Sequence, residues 1–187
     1  MSVVAAYLAD LQRVLALLPR PDIDWQVDRL RDAWASRSRV ILFGNGGSAS
    51  LASHFASDLG RTTIESGRPR LRAMALTDNV PLITAWANDA GYATIFVEQL
   101  ANLMEPGDLV IAISASGNSE NVLRGVEYAR LGGAMTVAWT GRTGGRLKAL
   151  AHRCLSVDTD DVEQIEDAHA VLHHVVVRAL AQGGPAN

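Results

Sequence analysis

The sequence predicts an α/β fold: a five-stranded parallel sheet flanked by helices, doubly wound and Rossmann-like, preceded by an N-terminal helical pair. Two observations support this class. From residue 39 onward, short apolar segments alternate with stretches of helical periodicity. These apolar segments are continuous rather than alternating, which is typical of parallel strands buried on both faces. Residues 1–37 show only helical periodicity.

The N-terminal helical pair begins with apolar residues three and four positions apart: Val4, Leu8, Leu11, Leu15 and Leu18. Pro19 and Pro21 interrupt that pattern, and a second helix is predicted to start after Asp22 and Asp24. The five strands are predicted at residues 40–43, 71–76, 109–113, 134–139 and 153–157. Helices are predicted near residues 49–59, 80–88, 93–104, 118–131 and 162–181. We expect one domain over 1–187, with the helical pair at 1–37, the sheet domain at 38–182 and a frayed tail beyond.

Composition excludes several classes of protein. The chain has 187 residues, 48% of them hydrophobic and 20% charged, with a net charge of −3. Without an excess of basic residues, we expect neither nucleic acid nor a membrane surface as partner. Cys154 is the only cysteine, which excludes an internal disulfide. The N-terminal segment is amphipathic and unlike a signal peptide, and no segment has the length of a membrane span, so we expect a cytoplasmic protein.

Two loops of similar composition follow the first and third predicted strands. The first, residues 44–50, reads GNGGSAS, and the second, residues 114–119, reads SASGNS. Ligands of such sheets bind beyond the carboxyl ends of the strands, where glycines, hydroxyls and helix N-termini favour an anion. The alternative is that Ser and Asn only cap ordinary helices. The first loop lacks the P-loop pattern and the third glycine of G-x-G-x-x-G, so a sugar phosphate suits it better than a nucleotide.

Titratable side chains concentrate on two predicted helices. His54 and Asp58 are four residues apart and therefore share one helix face, as metal ligands or an acid–base pair would. On the last helix Glu166, His169 and His173 form a single stripe, and His174 lies eight residues beyond Glu166. The alternative interpretations are a solvated ion pair on the helix of His54 and Asp58, and surface histidines on the last helix.

The residues that combine these features resemble a known family. The matching segments are FGNGGSAS at 43–50, SHFASDLG at 53–60, WANDAGY at 86–92, ISASGNSENV at 113–122, TGRTGG at 140–145 and IEDAHAVLHH at 165–174. On these residues the chain resembles the SIS (sugar isomerase) domain family, and within it the phosphoheptose isomerases. The family implies isomerisation of D-sedoheptulose 7-phosphate to D-glycero-D-manno-heptose 7-phosphate through an enediol, without an organic cofactor.

The resemblance also implies roles for individual residues. Those implied to bind the substrate are Asn45, Gly46, Gly47, Ser48, Asn88, Asp89, Ser114, Ala115, Ser116, Ser119 and Glu166. Those implied to bind one Zn²⁺ are His54, Asp58, Glu166 and His174. Asp58 and Glu166 replace the family's usual Glu and Gln, so either carboxylate is a candidate for the catalytic base, with His174 as the proton carrier. The family, and the apolar residues of the N-terminal helices, also imply a homotetramer.

Two other functions remain open from the sequence. DiaA-type proteins resemble phosphoheptose isomerases but bind the replication initiator DnaA without catalysis, and the resemblance implies that they lack the final histidine. His174 therefore favours the enzyme. A different SIS-domain isomerase or a sensor of sugar phosphates would share the two loops.

Overall fold

The computed structural model describes residues 2–64, 67 and 69–182 as an α/β domain. Its elements are α1 Val3–Ala16, α2 Arg20–Ser36, β1 Arg39–Gly44, α3 Gly47–Thr62, β2 Arg72–Ala75, α4 Val80–Asp89, α5 Ile95–Leu103, β3 Leu109–Ile113, α6 Glu120–Leu131, β4 Met135–Thr140, α7 Leu147–Leu150, β5 Arg153–Ser156 and α8 Val162–Gln182. A single 3₁₀ turn, Tyr92–Thr94, precedes α5. The expected fraying of the tail concerns residues beyond 182, which lie outside the described residues.

The sheet has five parallel strands in the order β2-β1-β3-β4-β5. This confirms the predicted fold class and all five strands, with boundaries shifted by one residue at several ends. The order reverses between β1 and β3, and at such a point the loops that follow the two strands diverge to opposite faces of the sheet. A crevice at the carboxyl edge results, and the two predicted loops border it.

Both faces of the sheet are covered, as the continuous apolar strands predict. Along β1, Val40 and Leu42 pack with α2, α3 and α8, while Ile41 and Phe43 pack with α5, α6 and α7. The first of these two cores contains Phe55 and Trp139, whose ring centroids lie 5.2 Å apart with the planes tilted by 31°. This core holds α3 and α8 side by side, so their polar faces meet at the edge of the domain.

Both N-terminal helices have recognisable boundaries. The side chain of Ser2 caps α1 by accepting a hydrogen bond from the backbone N–H of Ala5. Pro21 lies in the first turn of α2, where its missing N–H costs nothing. The Tyr7 hydroxyl donates to Asp167 and so fastens α1 to α8. None of the helices in the described ranges combines the length and the apolar composition that a membrane span requires.

Candidate functional site

The loop after β1 brings the chain close to β3 before α3 begins. A β-carbon at Gly44 would lie 2.6 Å from the carbonyl oxygen of Ile113, so only glycine fits there. Gly46 has φ of +56° and occupies the N-cap position of α3, where it leaves the first N–H groups of the helix without a side-chain acceptor. The loop thus presents free backbone donors at the carboxyl edge of the sheet.

Asn45 is held in place by a network that links the two loops. Its side-chain amide exchanges two hydrogen bonds with the amide of Asn121 on α6, each 2.9 Å long. The Tyr92 hydroxyl donates to the same oxygen of Asn45 at 2.9 Å. Asn121 is buried, so its hydrogen bonds fix the loop after β1 relative to the helix that follows β3.

The loop after β3 places two hydroxyls side by side. The backbone N–H of Ser114 donates to the carbonyl of Trp139, and the Ser114 and Ser119 hydroxyl oxygens lie 3.4 Å apart. Ser119 occupies the N-cap position of α6, yet its side chain makes no capping hydrogen bond. The alternative that these serines only cap a helix is therefore wrong for Ser119, whose hydroxyl faces Ser114 instead.

A tight turn after β4 supports the second loop from behind. Gly117 has φ of +65°, and a β-carbon there would collide with the carbonyl of Gly144. The backbone N–H of Arg146 donates to the side chain of Asn118 at 3.0 Å. The glycines of the 140–145 segment thus allow two backbones to touch, and this contact fixes the curvature of the serine loop.

Two adjoining clefts open beside these loops. The first, which we call the loop cleft, has a volume of about 250 Å³ and is lined by Asn45, Ser48, Ser114, Ala115, Ser116, Ser119, Val162 and Glu166. The second, the helix cleft, has a volume of about 220 Å³ and is lined by Gly47, Ser48, Ser50, Leu51, His54, Glu166, His169 and Ala170. Ser48 and Glu166 line both, so the clefts adjoin and together extend from the serine loop to His54.

Beyond the helix cleft, three imidazoles converge on one carboxylate. The Nε2 atoms of His173, His54 and His174 lie 3.3, 3.5 and 3.8 Å from Oδ2 of Asp58. One ligand atom from each of these four residues lies within 4.8 Å of all the others. Asp58 is 8% exposed and His173 is fully buried, whereas the rings of His54 and His174 reach solvent. We call these four residues the imidazole–carboxylate group.

The chemistry of this group fits a divalent zinc ion. Neutral imidazole nitrogens and a carboxylate oxygen are usual zinc ligands, with bond lengths near 2.0–2.2 Å. Two ligand atoms on a tetrahedral zinc at such distances are roughly 3.3–3.5 Å apart. The separations of 3.3 and 3.5 Å from the Asp58 oxygen to His173 and His54 match this value, and that to His174, at 3.8 Å, is slightly longer.

Two buried histidines of α8 are held in the neutral form. Burial lowers the pKa of His169 to about 4, opposed by a contact of 3.3 Å between its Nε2 and the carbonyl of Thr140. Burial also lowers the pKa of His173, as do the neighbouring His174 and His54, against the opposite effect of Asp58. Burial therefore favours the neutral form of both rings, which is the form that can bind a metal.

Glu166 lies apart from the imidazole–carboxylate group. A β-carbon on Gly47 would collide with its carboxylate oxygens, so the carboxylate rests against the first turn of α3. The structure thus brings together three of the four predicted metal ligands and places the fourth between the two clefts. The neighbouring N-terminus of α3 favours a negative charge there.

Asn88 and Asp89 also lie apart from the clefts. They occupy the exposed end of α4, where the Asn88 amide donates to Asp89 at 2.8 Å. Neither residue lines the loop cleft or the helix cleft. Their predicted contact with the substrate therefore stays a prediction.

A parallel sheet with hydroxyl-rich loops at its switch point, beside an imidazole–carboxylate group, defines a class of proteins that bind small phosphorylated ligands. The SIS domain family model matches residues 6–141. The phosphoheptose isomerase of Aquifex aeolicus is 45% identical over 78% of this chain and 75% of its own length. That of Akkermansia muciniphila is 40% identical over 90% of this chain and 88% of its own.

The solved structure of a phosphoheptose isomerase from Francisella tularensis superposes with a TM-score of 0.88. The two sequences are 29% identical, and the superposition covers 97% of this chain and 100% of the Francisella chain. The chain belongs to the SIS domain family and, within it, to the phosphoheptose isomerases. The resemblance found in the sequence motifs is thereby confirmed.

Three residues of the site had no role in the sequence analysis. Asn121 and Tyr92 lie inside matched segments, but nothing in the sequence pairs them with Asn45. His173 was assigned only to a helical stripe with Glu166 and His169. Its position beside His174 was a usable signal, because a second imidazole next to a predicted ligand reaches the same region of space.

Proposed function

We propose that this protein isomerises D-sedoheptulose 7-phosphate to D-glycero-D-manno-heptose 7-phosphate. The observation that carries the proposal is the pair of adjoining clefts that extends from the serine loop, past Ser48 and Glu166, to His54 of the imidazole–carboxylate group. This arrangement suits an elongated sugar with an anion at one end and a carbonyl at the other. The names of the relatives point to the same substrate class.

The phosphate is proposed to lie in the loop cleft. The hydroxyls of Ser114 and Ser119 make no capping hydrogen bond to a helix. The first turns of α3 and α6 carry N–H groups without side-chain acceptors. Phosphate oxygens accept hydrogen bonds from such donors, and these charge-assisted bonds are stronger than neutral ones. The absence of any lysine from the cleft lining suits a ligand that is held by hydroxyl and backbone donors.

The reacting end of the sugar is proposed to lie in the helix cleft. A carboxylate removes a proton from C1 while the carbonyl oxygen at C2 takes one up, which gives the enediol. The hydroxyl at C1 then gives up its proton as C2 is protonated, so atoms and electrons balance without an oxidant or reductant. Asp58 and Glu166 are the candidate bases. His174, whose ring reaches solvent beside Asp58, is the candidate proton carrier between the two oxygens.

Zn²⁺ is the proposed metal. Bound at the imidazole–carboxylate group, it would polarise the substrate carbonyl and so ease removal of the neighbouring proton. His54, Asp58 and His174 are ligands in this proposal, and their donor atoms fit the metal as described above. The reaction requires no organic cofactor.

A homotetramer and a cytoplasmic location are also proposed. The N-terminal helix leaves apolar side chains in water, with Val3, Val4 and Leu8 exposed by 86, 68 and 54%. Association of these helices between copies would cover them. Light scattering is expected to give four times the mass of one chain, and a monomer at micromolar concentration would contradict the proposal. The single cysteine and the phosphorylated substrate fit the cytoplasm.

The direct test is an isomerase assay with variants. Purified protein is expected to convert sedoheptulose 7-phosphate, to lose activity with a chelator and to regain it with Zn²⁺. His174→Ala should abolish turnover while leaving the fold intact, because the ring is exposed. His152→Ala, which lies before β5 at the opposite edge of the sheet, is the matched control and should retain activity. Full activity of His174→Ala would contradict the proposed mechanism.

Glu166→Gln decides between the two candidate bases. If Asp58 removes the proton, this variant keeps its turnover. If Glu166 removes it, turnover falls by the ~10²–10⁴-fold that a general base contributes. Asp58→Asn is the companion variant, whose metal content must be measured alongside its activity. Full activity in both variants would contradict the assignment of either carboxylate as the base.

A further inference from the structure

We infer that His173, and not Glu166, is the fourth side chain that binds the metal in this protein. The inference rests on the proposed function only in assuming that a divalent cation belongs to this site. It concerns which residues hold the ion and is independent of which sugar is isomerised. The resulting ligand set is three imidazoles and one carboxylate: His54, His173, His174 and Asp58.

The first argument is the distance between donor atoms. Of the three imidazole nitrogens around Asp58, that of His173 is the nearest, with 3.3 Å between Nε2 and Oδ2. The rings of His54 and His173 have centroids 4.6 Å apart, and those of His173 and His174 are 3.8 Å apart. A cation bound by His54, Asp58 and His174 would therefore lie within reach of His173 without any movement of the backbone.

The second argument is the orientation of the His173 ring. Its side chain is fully buried, in contact with the ring of Phe55 at 5.6 Å. Nδ1 has no hydrogen-bond partner among the described residues, so Nε2 is the atom through which the ring makes its polar contact. That atom faces the centre of the imidazole–carboxylate group. Its present partner is Oδ2 of Asp58, and a cation bound between the two would accept both atoms as ligands.

The third argument is the position of Glu166. Residues 166 and 174 are about 12 Å apart along the helix axis, so a shared ion would require both side chains to reach towards each other, whereas 173 and 174 are adjacent. The carboxylate of Glu166 rests on the first turn of α3 at Gly47 and lies outside the group of four. It faces both clefts, where a substrate would meet it. Glu166 thus acts on the sugar side of the site.

The competing interpretation is that His173 only orients Asp58 by donating a hydrogen bond to it. Histidine nitrogen spectra of the intact protein distinguish the two. Protein labelled with ¹⁵N-histidine is titrated with ZnCl₂, and the Nε2 resonances that move to metal-bound values are counted. We expect three imidazoles to bind, with the resonances assigned through single His variants. Binding by only two, with that of His173 unchanged, would overturn the inference.

Metal affinity of two variants gives a second, independent measurement. Competition with a chromophoric chelator should show that His173→Leu weakens Zn²⁺ binding by more than the ~10–100-fold expected of an outer-shell partner. Glu166→Gln is the matched variant on the same helix. It should leave the affinity within about threefold of wild type, a change of under ~0.7 kcal/mol, because its side chain lies outside the group of four. The reverse order of the two losses would overturn the inference. Neither readout depends on isomerase activity, so a protein that binds zinc through three imidazoles but fails to isomerise the sugar would refute only the proposed function.

Discussion

Removing the hydroxyl of Ser119 tests the phosphate site in the loop cleft. In the described structure this hydroxyl contacts only that of Ser114, at 3.4 Å, and makes no capping bond to α6. Ser119→Ala therefore leaves no backbone group without a partner and should cost well under ~1 kcal/mol of unfolding free energy. The lost hydrogen bond to a phosphate is worth about 1.5–3 kcal/mol because the acceptor is charged. This corresponds to a loss of affinity of roughly 10- to 150-fold.

The assay measures the Kd for the phosphorylated sugar by calorimetry, beside thermal unfolding of the same samples. Ser114→Ala should show a loss of the same order, because Ser114 is buried against the same cleft. Ser36→Ala is the control, since Ser36 bonds only to neighbouring groups at the opposite end of the sheet. An unchanged Kd for both cleft variants would refute the phosphate site. A loss of stability as large as the loss of binding would show that the hydroxyls serve the fold.

Two further predictions concern the surroundings of the site. The pKa of His169 in the folded protein, about 4, lies below its unfolded value of 6.5, so the folded state binds fewer protons and loses stability as the pH falls from 6.5 to 4. At 1.36 kcal/mol per pKa unit, the loss in unfolding free energy amounts to about 3 kcal/mol. The variant His169→Gln keeps a donor for the carbonyl of Thr140, and its unfolding free energy in urea should depend less on pH. A pH dependence equal to that of the wild type would contradict this. Gly117→Ala should lower the melting temperature and abolish substrate binding, because its positive φ costs an alanine ~1–2 kcal/mol and its β-carbon would strike Gly144. Gly60→Ala, in open space within α3, should instead be neutral or stabilising, and equal effects of the two would contradict the argument.

The sheet was predictable because its strands carry a strong local signal. Continuous apolar runs such as residues 109–113 are buried on both faces, and the structure places them in the interior of the parallel sheet. The two loops followed from the same reasoning, since parallel strands end at one edge. Chain composition and motif spacing therefore sufficed for the fold and for the location of the cleft.

The composition of the imidazole–carboxylate group was not predictable to the same degree. Which of Glu166, His173 and His174 faces Asp58 depends on the rotation of α8 against α3, and long-range packing around Phe55 and Leu172 decides that rotation. The helical stripe of Glu166, His169 and His173 describes one helix alone. It says nothing of the neighbour against which each residue packs.

Residues on weakly packed elements were equally hard to place. No residue of α4 is fully buried, and only its partly buried side chains, such as Ile83 and Trp86, pack against the core, so the orientation of Asn88 and Asp89 is weakly constrained. The reciprocal amide pair between Asn45 and Asn121 joins residues 76 positions apart. Such a pair depends on the strand order β1-β3, and a single sequence provides no signal for it.

The most direct test of the account is to follow D-sedoheptulose 7-phosphate by NMR in D₂O with the wild-type protein and one equivalent of Zn²⁺. The account predicts that aldoheptose 7-phosphate signals appear, that its C2 position gains deuterium as the enediol is protonated from solvent-exchanged groups, and that a chelator stops both changes. A spectrum in which the ketose remains unchanged while the protein is folded and loaded with zinc would contradict the proposed isomerase function.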